Sequence, residues 1–208
     1  MIRVAPPDEP KDFDRRARKP GQAWLATHRD PEERPKDLWS MFRNPLAAGF
    51  SERCGYLAMF DPDGTVDHFV SCKTNRALAY EWSNYRYAAG TVNSAKKPQW
   101  DGQLLDPFEV QNDWFEVQLP SCLLMVTNRV PASHLAKAKF TLEKLKLSDG
   151  QRARRQRLAW YDRHQKGKVS LDGLSDFAPQ VAHAVGRLRS TGQPLPALPP
   201  NLRQQFHL

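Results

Sequence analysis

The sequence predicts an α+β fold in which a hairpin-and-helix core and a small antiparallel meander lie between N- and C-terminal helices. A strand-like run at 54–60 and an alternating segment at 65–70 flank the turn signal Asp-Pro-Asp-Gly at 61–64. Apolar residues within 82–97 recur at three- and four-residue spacing, which is typical of a helix. Beyond Pro131 the pattern is helical for most of the remaining chain.

The N-terminal part, 1–53, is predicted to be a polar arm followed by a helical lead-in. The segment 13–27 places apolar residues among charges, with a break at Pro20-Gly21. An acidic start and apolar residues at helical spacing within 37–42 predict a helix that packs on the core.

The central part, 54–130, holds the predicted hairpin and helix. Pro98 ends that helix, because proline lacks a backbone donor. Three short β-prone segments follow at 104–110, 114–119 and 122–127. They predict the meander beside the core.

The C-terminal part is predicted to be helical over 131–193. In the proline-rich tail, 194–208, the segment 194–200 is expected to be an extended or mobile strap. The densest basic segment of the chain lies within 152–166, and it is either a solvated helix face or a clamp on a nucleic-acid backbone.

The balance of charge favours an anionic partner. Lysine and arginine outnumber aspartate and glutamate by 31 to 23, for a net charge of +8 and a pI near 9.6. Such an excess attracts polyanions or serves solubility alone. The N-terminus lacks the apolar run of a signal peptide, and no segment has the length of a membrane span. Three cysteines without a Cys-x-x-Cys pair favour a reducing compartment, so we expect a cytoplasmic protein with no membrane partner.

One combination of residues carries candidate chemistry. Asp67-His68 lies in the second predicted strand, Asn84 follows sixteen residues after the histidine, and Asn93 follows nine residues later. A histidine on such a strand can take a proton from water, while the neighbouring carboxylate and an amide oxygen hold a divalent cation. An Asp-His pair alone is more often structural, and an asparagine before lysines is often a helix cap. The prediction therefore depends on the whole combination.

This combination resembles the HNH endonuclease family, whose pattern is an Asp-His pair, a central asparagine and a final histidine or asparagine followed by lysine. The resemblance covers roughly 54–108. Further similarity to a bacterial subgroup lies in Phe-Asp at 13–14, Lys-Pro-Gly-Gln-Ala-Trp-Leu at 19–25, Ala-Tyr-Glu-Trp-Ser-Asn-Tyr-Arg at 79–86 and Leu-Asp-Pro-Phe at 105–108. The resemblance implies a ββα-metal core and a context of bacterial defence, restriction or mobile elements.

The family also implies a role for each residue of the motif. Asp67 and Asn93 would bind Mg²⁺ or Mn²⁺, and waters with a substrate phosphate would complete the octahedron around the ion. His68, neutral near pH 7, would activate the attacking water. Asn84 would hold the loop and the histidine in position. Cleavage by this route leaves 5′-phosphate and 3′-hydroxyl ends.

Two departures from the family pattern bear on the fold. Many members hold a structural zinc ion with two Cys-x-x-Cys pairs, of which only Cys54 remains here. Leu57, Ala89 and Val92 stand at the other three positions. We therefore expect no structural zinc, and apolar packing must replace it. Ser71 stands where many members have proline, so the shape of that loop is open.

Basic residues near the motif are candidate phosphate contacts, because phosphate contacts supply most of the sequence-independent affinity for nucleic acid. For each of them a solvated charge is an equal alternative. These candidates are Lys73, Arg76, Arg86, Lys96 and Lys97. Trp82 and Tyr85 can stack on bases, although a core position suits them better.

The sequence thus predicts a metal-dependent endonuclease that acts on nucleic acid, with DNA favoured and RNA left open. The alternative is a catalytically inactive module of the same fold that binds nucleic acid or a partner. No glycine-rich phosphate loop, nucleophilic serine motif or HExxH pattern supports another enzyme class. A small nuclease without a specificity domain often depends on a protein partner for targeting, and the helices beyond Pro131 are the candidate surface.

Overall fold

A computed structural model describes all 208 residues and contains eight α-helices and two small antiparallel sheets. The strands are β1 (Thr65–His68), β2 (Tyr85–Ala88), β3 (Phe115–Gln118) and β4 (Leu123–Val126). The helices are α1 (Lys19–Thr27), α2 (Arg43–Gly49), α3 (Gly90–Ala95), α4 (Ala132–Lys144), α5 (Gln151–Gln165), α6 (Leu171–Phe177), α7 (Pro179–Ser190) and α8 (Pro200–Phe206). The predicted α+β class is confirmed.

The first sheet consists of β1 and β2, and α3 begins after a single further residue. The antiparallel register sets Asp67 opposite Arg86 and His68 opposite Tyr85. A long connection with two 3₁₀ turns, Arg76–Tyr80 and Trp82–Asn84, joins the two strands. The Asp-His pair therefore lies at the end of β1, next to the long connection and the short helix.

The predicted hairpin between 54–60 and 65–70 is wrong, because β1 pairs with β2 instead. The earlier segment turns back on itself. Ala58 has a left-handed backbone with a φ of 54°, and its N–H donates to the Cys54 carbonyl over 2.8 Å. All residues from Cys54 to Met59 are buried. The apolar run thus reflects burial in the core and not strand pairing.

The predicted helix over 82–97 is wrong in its first half. All four residues of β2 are buried, so this strand has no polar face to give a two-residue alternation. A short buried strand and a helical turn produce similar apolar spacing. The helix itself is limited to α3, and the chain is extended at Lys96 and Lys97 before Pro98.

The second sheet is a two-stranded hairpin of β3 and β4, with Phe115 opposite Val126. The first predicted strand of the meander, 104–110, is wrong, since this segment consists of turns and loops. Its Leu104, Leu105 and Val110 are buried in the core. The Leu105 N–H donates to the Thr141 hydroxyl of α4 over 2.7 Å, so a side chain replaces a strand partner.

The lead-in helix has no break at Pro20-Gly21. A π-helical turn, Asp14–Arg18, continues directly into α1, and Pro20 lies in the first turn, where a backbone donor is not needed. A Cβ at Gly21 would lie 2.3 Å from the Tyr80 ring. The glycine therefore serves close packing of the helix on the long connection.

Both ends of the chain pack on the body of the protein. Met1 is buried, and its carbonyl accepts a hydrogen bond from the Gln180 amide of α7 over 2.6 Å. The proline-rich tail ends in α8 and buries Leu198 and Phe206. The segment 193–199 forms neither helix nor strand, whereas the helix α8 that follows it was not predicted.

Two apolar clusters stabilise the structure. The smaller one is rich in aromatic residues and joins the N-terminal helices to both strands of the first sheet, with Phe13, Phe42 and Tyr85 among its members. The larger one joins α3, the second sheet and the C-terminal helices. None of the helices combines the length and the apolar character that a membrane crossing requires.

Candidate active site

His68, the last residue of β1, is fixed by one hydrogen bond and two aromatic rings. Its Nε2 lies 2.9 Å from the Ala79 carbonyl oxygen. Trp39 and Tyr85 contact the imidazole edge-to-face, with ring centroids 4.6 and 5.0 Å away. A carbonyl oxygen can only accept, so Nε2 carries the proton of the neutral ring and Nδ1 keeps its lone pair.

The environment of His68 favours the neutral imidazole. Burial lowers the pKa of His68 below 6.5, while the hydrogen bond to Ala79 and the charge of Asp67 oppose that shift. Lys96 adds to the lowering, because a second positive charge nearby disfavours the imidazolium. At pH 7 the ring is therefore available as a base.

Asn84 ties the two ends of the long connection together. Its side-chain oxygen accepts from the Val70 N–H over 2.9 Å, and its amide donates to the Val70 and Leu78 carbonyls over 3.0 and 3.2 Å. Its own carbonyl accepts from the Phe69 N–H over 2.8 Å. Asn84 is buried, and these contacts immobilise the backbone that follows His68.

Asp67 forms a buried ion pair with Lys96. The lysine nitrogen lies 2.7 and 2.8 Å from the two carboxylate oxygens, and the two side chains are 2% and 8% exposed. The Tyr56 hydroxyl donates to the same carboxylate over 2.8 Å. Burial raises the pKa of Tyr56 well above 10, so this hydroxyl stays a donor. Both oxygens of Asp67 thus already have partners.

Asn93, on α3, is bound to β1 through its amide group. The amide donates to the Thr65 hydroxyl over 3.0 Å and to the Val66 carbonyl over 3.1 Å. These bonds hold α3 against the strand. Asp67 and Asn93 both line one cleft.

The two predicted ligands do not form a ready divalent-metal site. No group of three or more His, Cys, Asp or Glu side chains is placed to hold a metal ion. The charge of the Asp67 carboxylate is balanced by Lys96, so a metal ion would first have to displace that ammonium group. The residues in their present arrangement therefore do not fit Mg²⁺ or Mn²⁺.

The cleft beside His68 has a volume of about 360 Å³. Its walls come from the segment 31–35, the end of β1, the loop at 71–73, the end of α3 and Asp101. The charges along it are mixed, with four basic residues, Arg34, Lys73, Lys96 and Lys97, and four acidic ones, Glu32, Glu33, Asp67 and Asp101. The cleft is thus not a uniformly positive groove, and its free cations matter individually.

Arg34, Lys73 and Lys97 are the cations of the cleft that are exposed. Arg34 forms no ion pair or side-chain hydrogen bond, whereas Lys73 lies 3.7 Å from Glu32, a weak exposed pair. Lys97 lies over the Trp100 ring, 5.6 Å from its centroid. Two predicted phosphate contacts, Lys73 and Lys97, therefore stand where a ligand in the cleft would meet them.

Of the other predicted phosphate contacts, Arg86 is wrong, because its guanidinium is buried in an ion pair, and Arg76 stays a prediction. Arg86 is buried, pairs with Asp106 at 2.6 Å, and lies 3.7 Å from the centroid of the Phe108 ring. Arg76 lies outside the cleft, donates to the Asp30 carbonyl and covers the Trp24 ring. Both guanidinium groups serve packing. The fifth candidate, Lys96, lines the cleft but is held by Asp67.

Burial decides between the alternatives weighed for the aromatic residues, but not between those weighed for the basic segment. Trp82 and Tyr85 are buried in the smaller core and are not free to stack on bases. In the basic segment, Arg154 and Arg155 donate to backbone carbonyls, and buried Arg157 donates to three. Part of this basic segment therefore holds neighbouring backbone in place, while Arg152, Arg163 and Lys166 are exposed, so a solvated face and a backbone clamp both stay predictions.

The positions of the missing zinc ligands form part of the larger core. Cys54, Leu57, Ala89 and Val92 are all buried there, and the Leu57 N–H lies 3.4 Å from the Cys54 sulfur. Apolar contacts thus join the turn at 54–60 to the start of α3.

Cys72 also lines the cleft. Burial raises the pKa of its thiol to about 11, so little thiolate exists at pH 7. The thiol is therefore a poor nucleophile, and His68 is left as the group best suited to react.

Sequence reasoning missed Arg34, Trp39 and Tyr56. Arg34 lies in a charged stretch with no periodicity. It reaches the cleft because the segment 31–35 lies beside the end of β1 in the folded protein. Trp39 was expected only to pack on the core. Tyr56 lies eleven residues before Asp67, in the segment wrongly predicted to be a strand. No local signal in the sequence connects these residues with the motif.

The comparisons with known proteins identify no relative of this chain. No protein-family model, curated protein or solved structure matches it. The residues of the cleft are therefore the basis for the proposed function.

Proposed function

We propose that this chain is an endonuclease that hydrolyses phosphodiester bonds of nucleic acid, with His68 as the general base. One observation carries the proposal: His68 lines a cleft with its Nε2 held by the Ala79 carbonyl, so that Nδ1 is free to accept a proton. This arrangement of a fixed, neutral imidazole beside exposed cations suits attack of water on a phosphodiester.

The chemistry can be divided among residues of this chain. A phosphate group in the cleft is bound by Arg34, Lys73 and Lys97, which are exposed there. His68 removes a proton from the water that attacks phosphorus, and the 3′ oxygen leaves. Asn84 is a positioning residue, because its hydrogen bonds hold the loop after His68. Displacement at the 3′ oxygen leaves a 5′-phosphate.

The HNH resemblance supports the same reaction and adds a divalent ion to the proposal. If held by residues of this chain, Mg²⁺ or Mn²⁺ would supply stabilisation of the charge that develops on the phosphate. Asp67 and Asn93 are the candidate ligands, yet Lys96 now balances the Asp67 carboxylate. Cleavage with and without EDTA therefore tests this part of the proposal.

DNA is the proposed substrate, with RNA as the alternative. The three cysteines are free, which supports a place in a reducing compartment such as the cytoplasm. We also propose that a protein partner binds the C-terminal helices and directs cleavage.

A second candidate function is a non-catalytic module that binds nucleic acid or a partner. The ion pair between Asp67 and Lys96 favours it, because a carboxylate held by lysine lacks the free oxygens of a metal ligand. A cleavage assay distinguishes the endonuclease from the non-catalytic module.

Cleavage of supercoiled plasmid, single-stranded DNA and RNA by the purified chain, with Mg²⁺, Mn²⁺ or EDTA, tests the proposal. We expect nicking by the parent and at least a 100-fold slower reaction for His68→Ala, because general-base catalysis contributes roughly 10²–10⁴-fold. His183→Ala is the matched control, since His183 is exposed on α7 and lies outside the cleft. Equal rates for the parent and His68→Ala would remove the base assignment, and binding without cleavage would favour the second candidate.

A further inference from the structure

Four oxygen atoms surround the ammonium nitrogen of Lys96. Two belong to the Asp67 carboxylate, at 2.7 and 2.8 Å, and two are the backbone carbonyl oxygens of His68 and Phe69, at 3.0 and 3.3 Å. Carboxylate and carbonyl oxygens are the ligands that hard divalent cations prefer. The four oxygens therefore form a cage around a cation, and that cation is the ammonium group of Lys96.

Lys96 is the only cationic side chain that contacts Asp67. Arg86 stands opposite Asp67 in the strand register, but its guanidinium pairs with Asp106. The Tyr56 hydroxyl is a neutral donor to the carboxylate. Removal of the ammonium group would thus leave a buried carboxylate and two carbonyls without a positive charge.

We propose that Lys96 fills the cation position of this cage, and that a divalent ion binds Asp67 only when the lysine side chain leaves. The ammonium group lines the cleft and is carried on a flexible four-carbon stem, so it has a route out. The present distances are those of N–H···O bonds. A divalent ion would draw the oxygens closer and complete its shell with water, because ion–oxygen distances are about 2.0–2.6 Å.

The inference concerns the same site as the proposed function and deepens it. It rests on the proposed function only for the role of the cleft. It makes Lys96 a control element: the lysine keeps the site free of metal until something withdraws it. The phosphate of a substrate is a group of the right charge to do so, because it attracts the same ammonium.

Titration with Mn²⁺, read from the electron paramagnetic resonance signal of the free ion and without nucleic acid, tests this inference. We expect Lys96→Met to bind one Mn²⁺ at least tenfold more tightly than the parent. The double variant Asp67→Asn with Lys96→Met should lose that site. Lys139→Met is the matched control, because it removes an exposed lysine charge on α4, outside the cleft. It should bind Mn²⁺ as the parent does.

Equal Mn²⁺ affinity in the parent and Lys96→Met would overturn the inference, as would a site that persists in the double variant. If Lys96→Met does not fold, the parent and Asp67→Asn decide the question. The inference expects their titrations to coincide within about twofold, and a parent that binds tenfold more tightly contradicts it. Because binding is measured without substrate, an absence of nuclease activity leaves this result unaffected.

Discussion

Two buried ion pairs begin at facing residues of the first sheet, and they are built differently. Arg86 meets Asp106 with two nitrogens and is covered by the rings of Phe69 and Phe108. Asp67, opposite Arg86 in the register, is paired with Lys96. Only the second pair lines the cleft.

The difference lies in how easily each cation can leave. Arginine offers a planar fork that binds a carboxylate in a fixed geometry, whereas lysine offers a point charge on a flexible stem. The guanidinium of Arg86 also donates to the Ser83 and Tyr85 carbonyls. One pair is thus a permanent part of the core, and the other is suited to exchange.

Breaking the permanent pair should have the largest effect. We expect Arg86→Met to lower the free energy of unfolding by about 3–5 kcal/mol, because it leaves Asp106 nearly buried without its partner. Lys96→Met should cost about 1–3 kcal/mol, since Asp67 keeps the Tyr56 hydroxyl and water can reach it from the cleft. Urea unfolding of both variants measures the difference.

Arg129→Met is the matched control for these two variants. It removes an exposed pair in which Arg129 lies 3.9 Å from Asp113. We expect a change within about 0.5 kcal/mol. A Lys96→Met loss as large as that of Arg86→Met would mean that the two pairs are equally structural.

The second prediction concerns pH and His68. The folded protein lowers the pKa of this imidazole below its ordinary 6.5, so the unfolded chain binds more protons as the pH falls through 6.5. The contribution of His68 to stability is therefore complete above pH 6.5 and decreases below it. His68→Gln, which cannot titrate, should lose less stability than the parent between pH 7 and pH 5, as measured by urea unfolding.

The cleavage rate should follow the same group. It should stay level above pH 6.5 and fall at lower pH, with a midpoint below 6.5, because the base must be neutral. A parent and His68→Gln with parallel stability profiles would show that the imidazole titrates as it does in the unfolded chain. A rate that rises on acidification would contradict the role as base.

The smallest effect is expected at the rim of the cleft. Arg34→Ala should weaken binding of DNA about fivefold and lower the salt slope by about one unit, because it removes one phosphate contact. Lys139→Ala on α4 is the matched control, since it removes an exposed charge outside the cleft. Fluorescence anisotropy at several salt concentrations gives both quantities. Equal losses for the two variants would mean that net charge, and not the cleft, binds the DNA.

Short-range sequence patterns were sufficient to find the features that depend on residues close together in the chain. The Asp-His pair, Asn84 and Asn93 were found by their spacing; Asp67, His68 and Asn93 line one cleft, and Asn84 holds the loop beside it. The C-terminal helices follow their apolar periodicity. The strand pairing was missed, because the true partner of β1 follows after a long connection and is buried on both faces.

The sequence by itself determined the α+β class, the helical C-terminal part and the residues of the candidate motif, since each depends on residue types at short spacing. Only the tertiary structure decided which charges are free. Arg86 and Lys96 look alike in sequence as basic residues near the motif, yet one is enclosed by aromatic rings and the other is held at the cleft by Asp67. Burial and the choice of partner depend on segments far apart in the chain, and no local pattern contains that information.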